Sequence, residues 1–365
     1  MKKSIAILAA FALVAGFAVT ATAADWSFYG SARMATFSID KDEDSVNKNP
    51  LLPVSDGETD TQWTLQGNAR IGANVKAGDV GGRFEYGSGP NLRLLYGTWD
   101  FGGGELQVGQ NYTPTVNFLS NQVFDSDAGL LGIGQFYRGR RAMIQLTFGG
   151  LQVALVDPNG NQQITGYPGV DIETTLPQLE ASYRFSTDMF WIEPILGYST
   201  YDVVAANGDS EGVDSWVAGA YFGVNLGPAT IKSGGYIAQN TGPYGAYQGY
   251  GSGATLLQGD PVFFNGSVQD NEEMGAVLVA GFKISDMLGF EAGVGYKNNE
   301  IEIGAATAET TVLNYYAQLP VTLADGVYII PEVGYFDFGE LEVTGLADVE
   351  QGADTYVGAK WMINF

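Results

Sequence analysis

Apolar and polar residues alternate one by one through most of the chain. In 215–226, Trp216, Ala218, Ala220, Phe222, Val224 and Leu226 share one face, while Ser215, Tyr221 and Asn225 share the other. In 63–76, Trp63, Leu65, Ala69, Ile71, Ala73 and Val75 oppose Thr64, Gln66, Asn68, Arg70, Asn74 and Lys76. Residues 312–323, 273–284 and 290–297 follow the same rule. A period of two puts successive side chains on opposite faces of an extended strand. The alternating segments run to about 10–14 residues, longer than the usual strand of a soluble sandwich. Their polar faces carry Arg70, Arg184, Lys283 and Glu291 in mid-segment, and aromatics gather at segment ends, as at Trp99, Phe101, Phe190, Trp191, Trp361 and Phe365. An apolar face, a wet charged face and aromatic ends predict an all-β fold, a transmembrane antiparallel up-and-down β-barrel.

The breaks between segments set the strand count. Short turns rich in Gly and Asp are expected near 77–79, 102–104, 149–150, 186–188, 227–228, 285–286 and 325–326. Gly and Asp there supply the positive φ or local hydrogen bonds of tight hairpins. Longer connections are expected over 41–60, 87–90, 114–137, 158–173, 206–213, 241–271, 299–308 and 340–352. Seven short turns alternating with eight connections imply 16 strands, with both termini on the short-turn side.

Ahead of the barrel, Lys2 and Lys3 precede an apolar run over 5–19, and Ala21-Thr22-Ala23 closes it. Basic start, short apolar stretch and small-residue exit predict a signal peptide over 1–23 and a barrel domain over 24–365. Composition then excludes chemistry. There are no cysteines, hence no disulfide framework and no thiolate metal site, and no histidines, hence no usual hydrolase base or zinc ligand. Carboxylate-only catalysis, as in glycosidases, survives this test, whereas a barrel lipase or protease is disfavoured by the absence of His; no enzymatic activity, metal or cofactor is expected. The formal charge is −24, and Lys2 and Lys3 leave with the signal peptide, so the exported chain is more acidic still. Such a balance disfavours nucleic acid. The surplus acids sit mainly in the longer connections, among them Asp42, Glu43, Asp44, Asp56, Glu58 and Asp60. They predict a mild cation preference at an acidic vestibule; no run has the spacing of an EF-hand loop, so solubility and outward repulsion explain them more simply than divalent cations bridging to lipopolysaccharide.

The last segment places Val357, Ala359, Trp361, Ile363 and Phe365 on one face, with Tyr356, Lys360 and Asn364 on the other. That is a barrel-closing strand, with Trp361 and Phe365 as its lipid-side aromatics. A terminal Phe on such a strand resembles the signal by which outer-membrane proteins are recognised for assembly.

The stretch Leu94-Leu95-Tyr96-Gly97-Thr98-Trp99-Asp100-Phe101-Gly102, continuing through Leu106-Gln107-Val108-Gly109-Gln110-Asn111-Tyr112-Thr113-Pro114, resembles the fourth and fifth strands of Gram-negative general porins. The likeness is strongest to porin-like proteins of sulfate-reducing and related bacteria. It implies a 16-stranded homotrimer in the outer membrane that passes ions and small hydrophilic solutes by diffusion. It also implies a third outer loop folded into the lumen, here about 114–137, carrying Asp125 and Asp127 with Gly129, Gly132 and Gly134 to let it bend. Strand parity turns Arg33, Arg70, Arg83 and Arg141 inward, and these match the family's cationic wall opposite that loop. Arg93 is a further candidate on a strand with two apolar faces, so its direction stays open, as do those of Arg138 and Arg140. The second outer loop, around Gly87-Ser88-Gly89-Pro90, is too short for the family's intersubunit latch. Two other readings remain. One is a channel selective for sugars or organic acids, with an aromatic track at Tyr221, Tyr236 and Tyr316. The other is a structural or adhesive surface barrel, which a lumen filled by plug residues would favour.

Overall fold

Sixteen antiparallel strands close into one barrel. The structure, a computed structural model, describes residues 24–46, 57–89, 91–158, 162–251 and 258–365. The expected signal segment, and with it Asp56 of the first outer connection, lies outside the described residues. The strands are β1 (Asp25–Lys41), β2 (Glu58–Leu65 continued by Arg70–Ala77), β3 (Val80–Gly87), β4 (Leu92–Asp100), β5 (Glu105–Tyr112) and β6 (Arg140–Phe148). Next come β7 (Leu151–Val156), β8 (Gly169–Glu173, Gln178–Tyr183 and Phe185–Ser186), β9 (Phe190–Ala205), β10 (Ser210–Leu226) and β11 (Ala229–Gln239). The circuit ends with β12 (Asn271–Lys283), β13 (Gly289–Ile303), β14 (Ala306–Gln318 with Val321–Ala324), β15 (Val327–Asp337 with Glu340–Val343) and β16 (Val349–Glu350 with Ala353–Asn364). Closure is through β1: Met34 lies opposite Leu65 of β2 on one side and Trp361 of β16 on the other. Each of the sixteen strands thereby has a partner on both sides, as a membrane interior demands.

All seven expected short turns join strands where the Gly and Asp clusters stand. Gly149 (φ 59°) and Gly227 (φ 77°) take the left-handed conformation that tight hairpins need. Two expected connections are instead largely strand. Residues 299–308 narrow to a two-residue turn between β13 and β14, and β15 and β16 extend into 340–352. The polar side chains that suggested loops are satisfied across the ladder: Asn298 donates to Glu309, and Asn299 to Glu273.

Side-chain direction follows the alternation. Outward positions are apolar and open, as with Phe28 (72% exposed), Trp63 (72%), Leu278 (48%) and Val333 (48%), the outer face that a transmembrane barrel requires. Inward positions hold Glu180, Glu291, Glu332, Asn314 and Gln318, all buried. Trp191, expected in the aromatic girdle, shares the inward face with Glu193 and lies 3.9 Å beneath the Arg184 guanidinium. The buried apolar clusters lie inside the barrel. One joins Leu119, Leu130 and Phe136 to Tyr221, Tyr236 and Tyr244; another joins Val123, Phe124 and Ile133 to Phe37, Phe336 and Tyr356.

Candidate functional site

Residues 113–139, the connection after β5, are bound to inward-facing side chains around most of the wall. Asn121 donates from its backbone and side-chain nitrogens to Glu291 of β13 at 2.7 and 2.6 Å. Val123 and Phe124 backbone N–H groups donate to Glu332 of β15 at 2.7 and 2.9 Å. Gln122 donates to the Tyr356 hydroxyl of β16, and Phe136 N–H to the Tyr221 hydroxyl of β10. Both ends of the segment meet one carboxylate on β8. Glu180 accepts from Thr115 N and Oγ1, from Arg138 Nη1 at 2.8 Å and from the Tyr244 hydroxyl. Arg138 and Glu180 are both fully buried, so the pair fixes the base of the segment away from water.

The tip of this segment is Asp125-Ser126-Asp127, three consecutive non-glycine residues in the left-handed region (φ 50°, 56° and 69°). Each such residue costs on the order of 1–2 kcal/mol unless its surroundings compensate. Compensation comes from a bulge in β2, where residues 66–69 stand opposite only Ala32 and Arg33. Gly67 N–H donates to Ser126 Oγ, and Asn68 Nδ2 to the Ser126 carbonyl. Asp127 accepts from Arg33 Nη1 and Lys360 Nζ, each at 2.7 Å, and from Asn68 at 2.6 Å. Asp125 accepts from the Tyr247 hydroxyl at 2.7 Å. Burial pushes the Asp125 carboxyl above the usual aspartate range, partly countered by the Tyr247 hydrogen bond.

A cavity of about 910 Å³ opens beside this tip. Arg33, Arg70, Arg83 and Arg93 line it with Asp125 and Asp127, so six of the seven charged residues singled out from sequence share one space. Asp127 meets Arg33 directly, whereas Asp125 is turned to Tyr247 and away from the arginines. Arg141 is not among the lining residues; it lies on β6 in the field of Arg138, Asp157 and Glu180. The open question at Arg93 has a local cause. Register shifts at Glu85/Tyr86, leaving Arg93 as the extra residue of a bulge between Leu92 and Leu94. Arg93 and Leu94 are therefore both buried inward, which is why no single parity fits β4. Arg140 also lines the cavity, over the Tyr112 ring at 5.5 Å.

Glu85 on β3 organises the arginines. It accepts from Arg93 Nε at 2.6 Å, Arg83 Nη2 at 3.2 Å and the Tyr29 hydroxyl at 2.8 Å, and lies 3.5 Å from Arg70 Nη1. It shares the inward parity of Arg83 two residues before it, but its role as shared acceptor was not legible in the sequence. The role of Lys360 was likewise not legible. Tyr221, Tyr236 and Tyr316 are buried beneath the inner segments, their hydroxyls engaged with Phe136 N–H, Glu273 and Glu291, so they form no open aromatic track. At the closing seam of the barrel, the Phe365 backbone pairs with Gly30 in both directions, and Trp361 Nε1 donates to Thr36 Oγ1.

No protein-family model and no curated relative matches the chain. Solved structures do. The outer-membrane channel DcaP of Acinetobacter baumannii superposes with a TM-score of 0.68 at 17% identity, over 96% of this chain and 99% of that one. OmpT, an outer-membrane protein of Vibrio cholerae, gives 0.58 at 14% identity over 94% and 99%. An anion-selective porin from Comamonas acidovorans gives 0.55 at 14% identity over 94% and 100%. The chain has the 16-stranded fold of Gram-negative outer-membrane porins.

Proposed function

We propose that this barrel is an outer-membrane porin, a water-filled channel for passive diffusion of ions and small hydrophilic solutes, with residues 113–139 as its infolded constriction. The observation that carries this reading is the charged cavity on the inward face, where Arg33, Arg70 and Arg83 stay part-exposed beside the Asp125–Asp127 tip. A lipid-covered wall around a polar, hydrated interior is the physical requirement of such a pore. Lumen charges do not suit a sealed hydrophobic interior.

The sign of selectivity follows from the lining. Arg33, Arg70, Arg83, Arg93, Arg140 and Lys360 outnumber Glu85, Asp125, Asp127 and Glu291; with the buried Arg93, Lys360, Glu85 and Glu291 set aside, four arginines still face two aspartates. The waist therefore favours small anionic solutes, while the acidic outer connections favour cations at the entrance. The narrower waist dominates. The Comamonas porin, described as anion-selective, has the same fold. Homotrimeric assembly in the outer membrane, after export and removal of 1–23, completes the proposal; a trimer form of OmpT from Vibrio cholerae supports that arrangement. Lipid and lipopolysaccharide are then the partners of the apolar band and the acidic loops.

A second reading, a closed structural barrel, is favoured by the aromatic clusters that fill part of the lumen. Planar-bilayer recording on purified protein separates the two. Stepwise conductance supports the channel, and its absence at protein loads that insert a reference porin refutes it.

A further inference from the structure

A second connection enters the space beside the third. Residues Thr241–Tyr244, after β11, form one helical turn whose four residues are all buried. Thr241 Oγ1 donates to Glu273 of β12, and the Tyr244 hydroxyl to Glu180 of β8. Farther along, Lys297 Nζ of β13 donates to Gln248 Oε1 at 2.6 Å, and the Tyr250 hydroxyl donates to Asp354 of β16 at 2.9 Å. A segment bonded to β8, β12, β13 and β16 spans the barrel interior.

This sixth outer connection also grips the third. Tyr247 N–H donates to the Tyr137 carbonyl at 2.7 Å, and the Tyr250 ring packs on Phe124 at 5.1 Å. The backbones approach so closely that a Cβ on Gly132 would sit 2.3 Å from Gly249 N. Where the two meet, the Tyr247 hydroxyl holds Asp125. We infer that residues 240–251 form a second constriction element, and that Tyr247 is a positioning residue that sets the passage through Asp125. The inference rests on the channel reading and deepens it. Asp125 faces Tyr247 and Tyr250 from the sixth connection, and shares the cavity with Asp127, Arg33, Arg70 and Lys360.

Three variants of the full-length protein test this in bilayers: 242–250 replaced by a short Gly-Ser link, Tyr247→Phe and Tyr250→Phe. The shortened loop raises single-channel conductance and admits larger neutral polymers. Tyr247→Phe loses one charge-assisted hydrogen bond, which is about tenfold in the equilibrium between docked and undocked tip. It increases open-channel noise. It also moves the pH at which selectivity changes upward, because the donor that favours the Asp125 carboxylate is gone. Tyr250→Phe increases noise without moving that pH. Conductance, polymer cut-off and pH profile unchanged in Tyr247→Phe and in the shortened loop overturn this inference alone. A wild-type protein without conductance overturns the channel reading and this inference with it.

Discussion

Replacing Asp127 by Asn removes one charge from the cavity with little change in shape. Asn tolerates the left-handed backbone at this position, so the tip has no new conformational reason to move. What changes is the field. Arg33 and Lys360, each 2.7 Å from the carboxylate, lose their shared counter-charge. A solute ion passing roughly 5 Å away feels about 0.8 kcal/mol per unit charge in water, and about 0.5 kcal/mol after screening at 0.1 M salt. Anions are then enriched just over twofold and cations depleted as much, so the anion-to-cation permeability ratio rises roughly fivefold. The stability cost is modest. Asp127 is one-quarter exposed, which discounts the several kcal/mol of a broken buried pair to about 1–2 kcal/mol. The assay is the reversal potential across a salt gradient, with Asp127→Glu as the charge-conserving control. An unchanged reversal potential in Asp127→Asn, in a channel of normal conductance, would remove the Asp127 tip from the permeation path.

Three further outcomes follow. Glu180→Gln leaves Arg138 fully buried against a neutral amide and weakens four hydrogen bonds, costing about 3–5 kcal/mol; thermal unfolding in detergent should fall accordingly, and an unshifted midpoint contradicts the clasp. For Asp125, burial favours the neutral carboxyl, so its contribution to stability is full below the ordinary aspartate value and is lost as pH rises through the raised one. As pH falls from neutral, Asp125 therefore sheds its charge before exposed carboxylates do, and anion preference should climb; Asp125→Asn should flatten that rise, and identical profiles would refute the assignment. Val333→Arg puts a charge on the lipid face at about 2–4 kcal/mol, so heat-resistant folded barrel should be lost on a gel. Wild-type behaviour there would mean Val333 does not face lipid.

The strands were legible because an apolar outer face and a polar inner face impose a period of two on every crossing. The seven short turns were legible because Gly and Asp mark them. Residues 299–308 were misread because Asn298, Asn299, Glu300 and Glu302 look like loop, yet strands beyond the membrane band carry polar residues on both faces. Trp191 was misassigned because an aromatic near a strand end suits a girdle equally well from either side; the Arg184 guanidinium above it decides. Parity brought Arg33, Arg70 and Arg83 to the site and failed at Arg93, where a bulge breaks the alternation. It also turned Arg141 inward, which is necessary for membership of the cavity but not sufficient. Glu180, Glu291 and Glu332 had to await the tertiary structure. Each is a carboxylate on an inward strand face whose partners lie on a connection remote in sequence, so nothing local announces what it anchors. The sixth connection was hidden for the same reason.

The proposed pore requires a charged aqueous passage past the Asp125–Asp127 tip and the Glu85-centred arginines. Single-channel recording of the purified wild-type protein, with reversal potential read in a potassium chloride gradient, tests it most directly. Discrete conductance steps and a reversal potential displaced toward anion permeation are expected. Silent membranes at loads that insert a reference porin, or a firmly cation-selective channel, would contradict it.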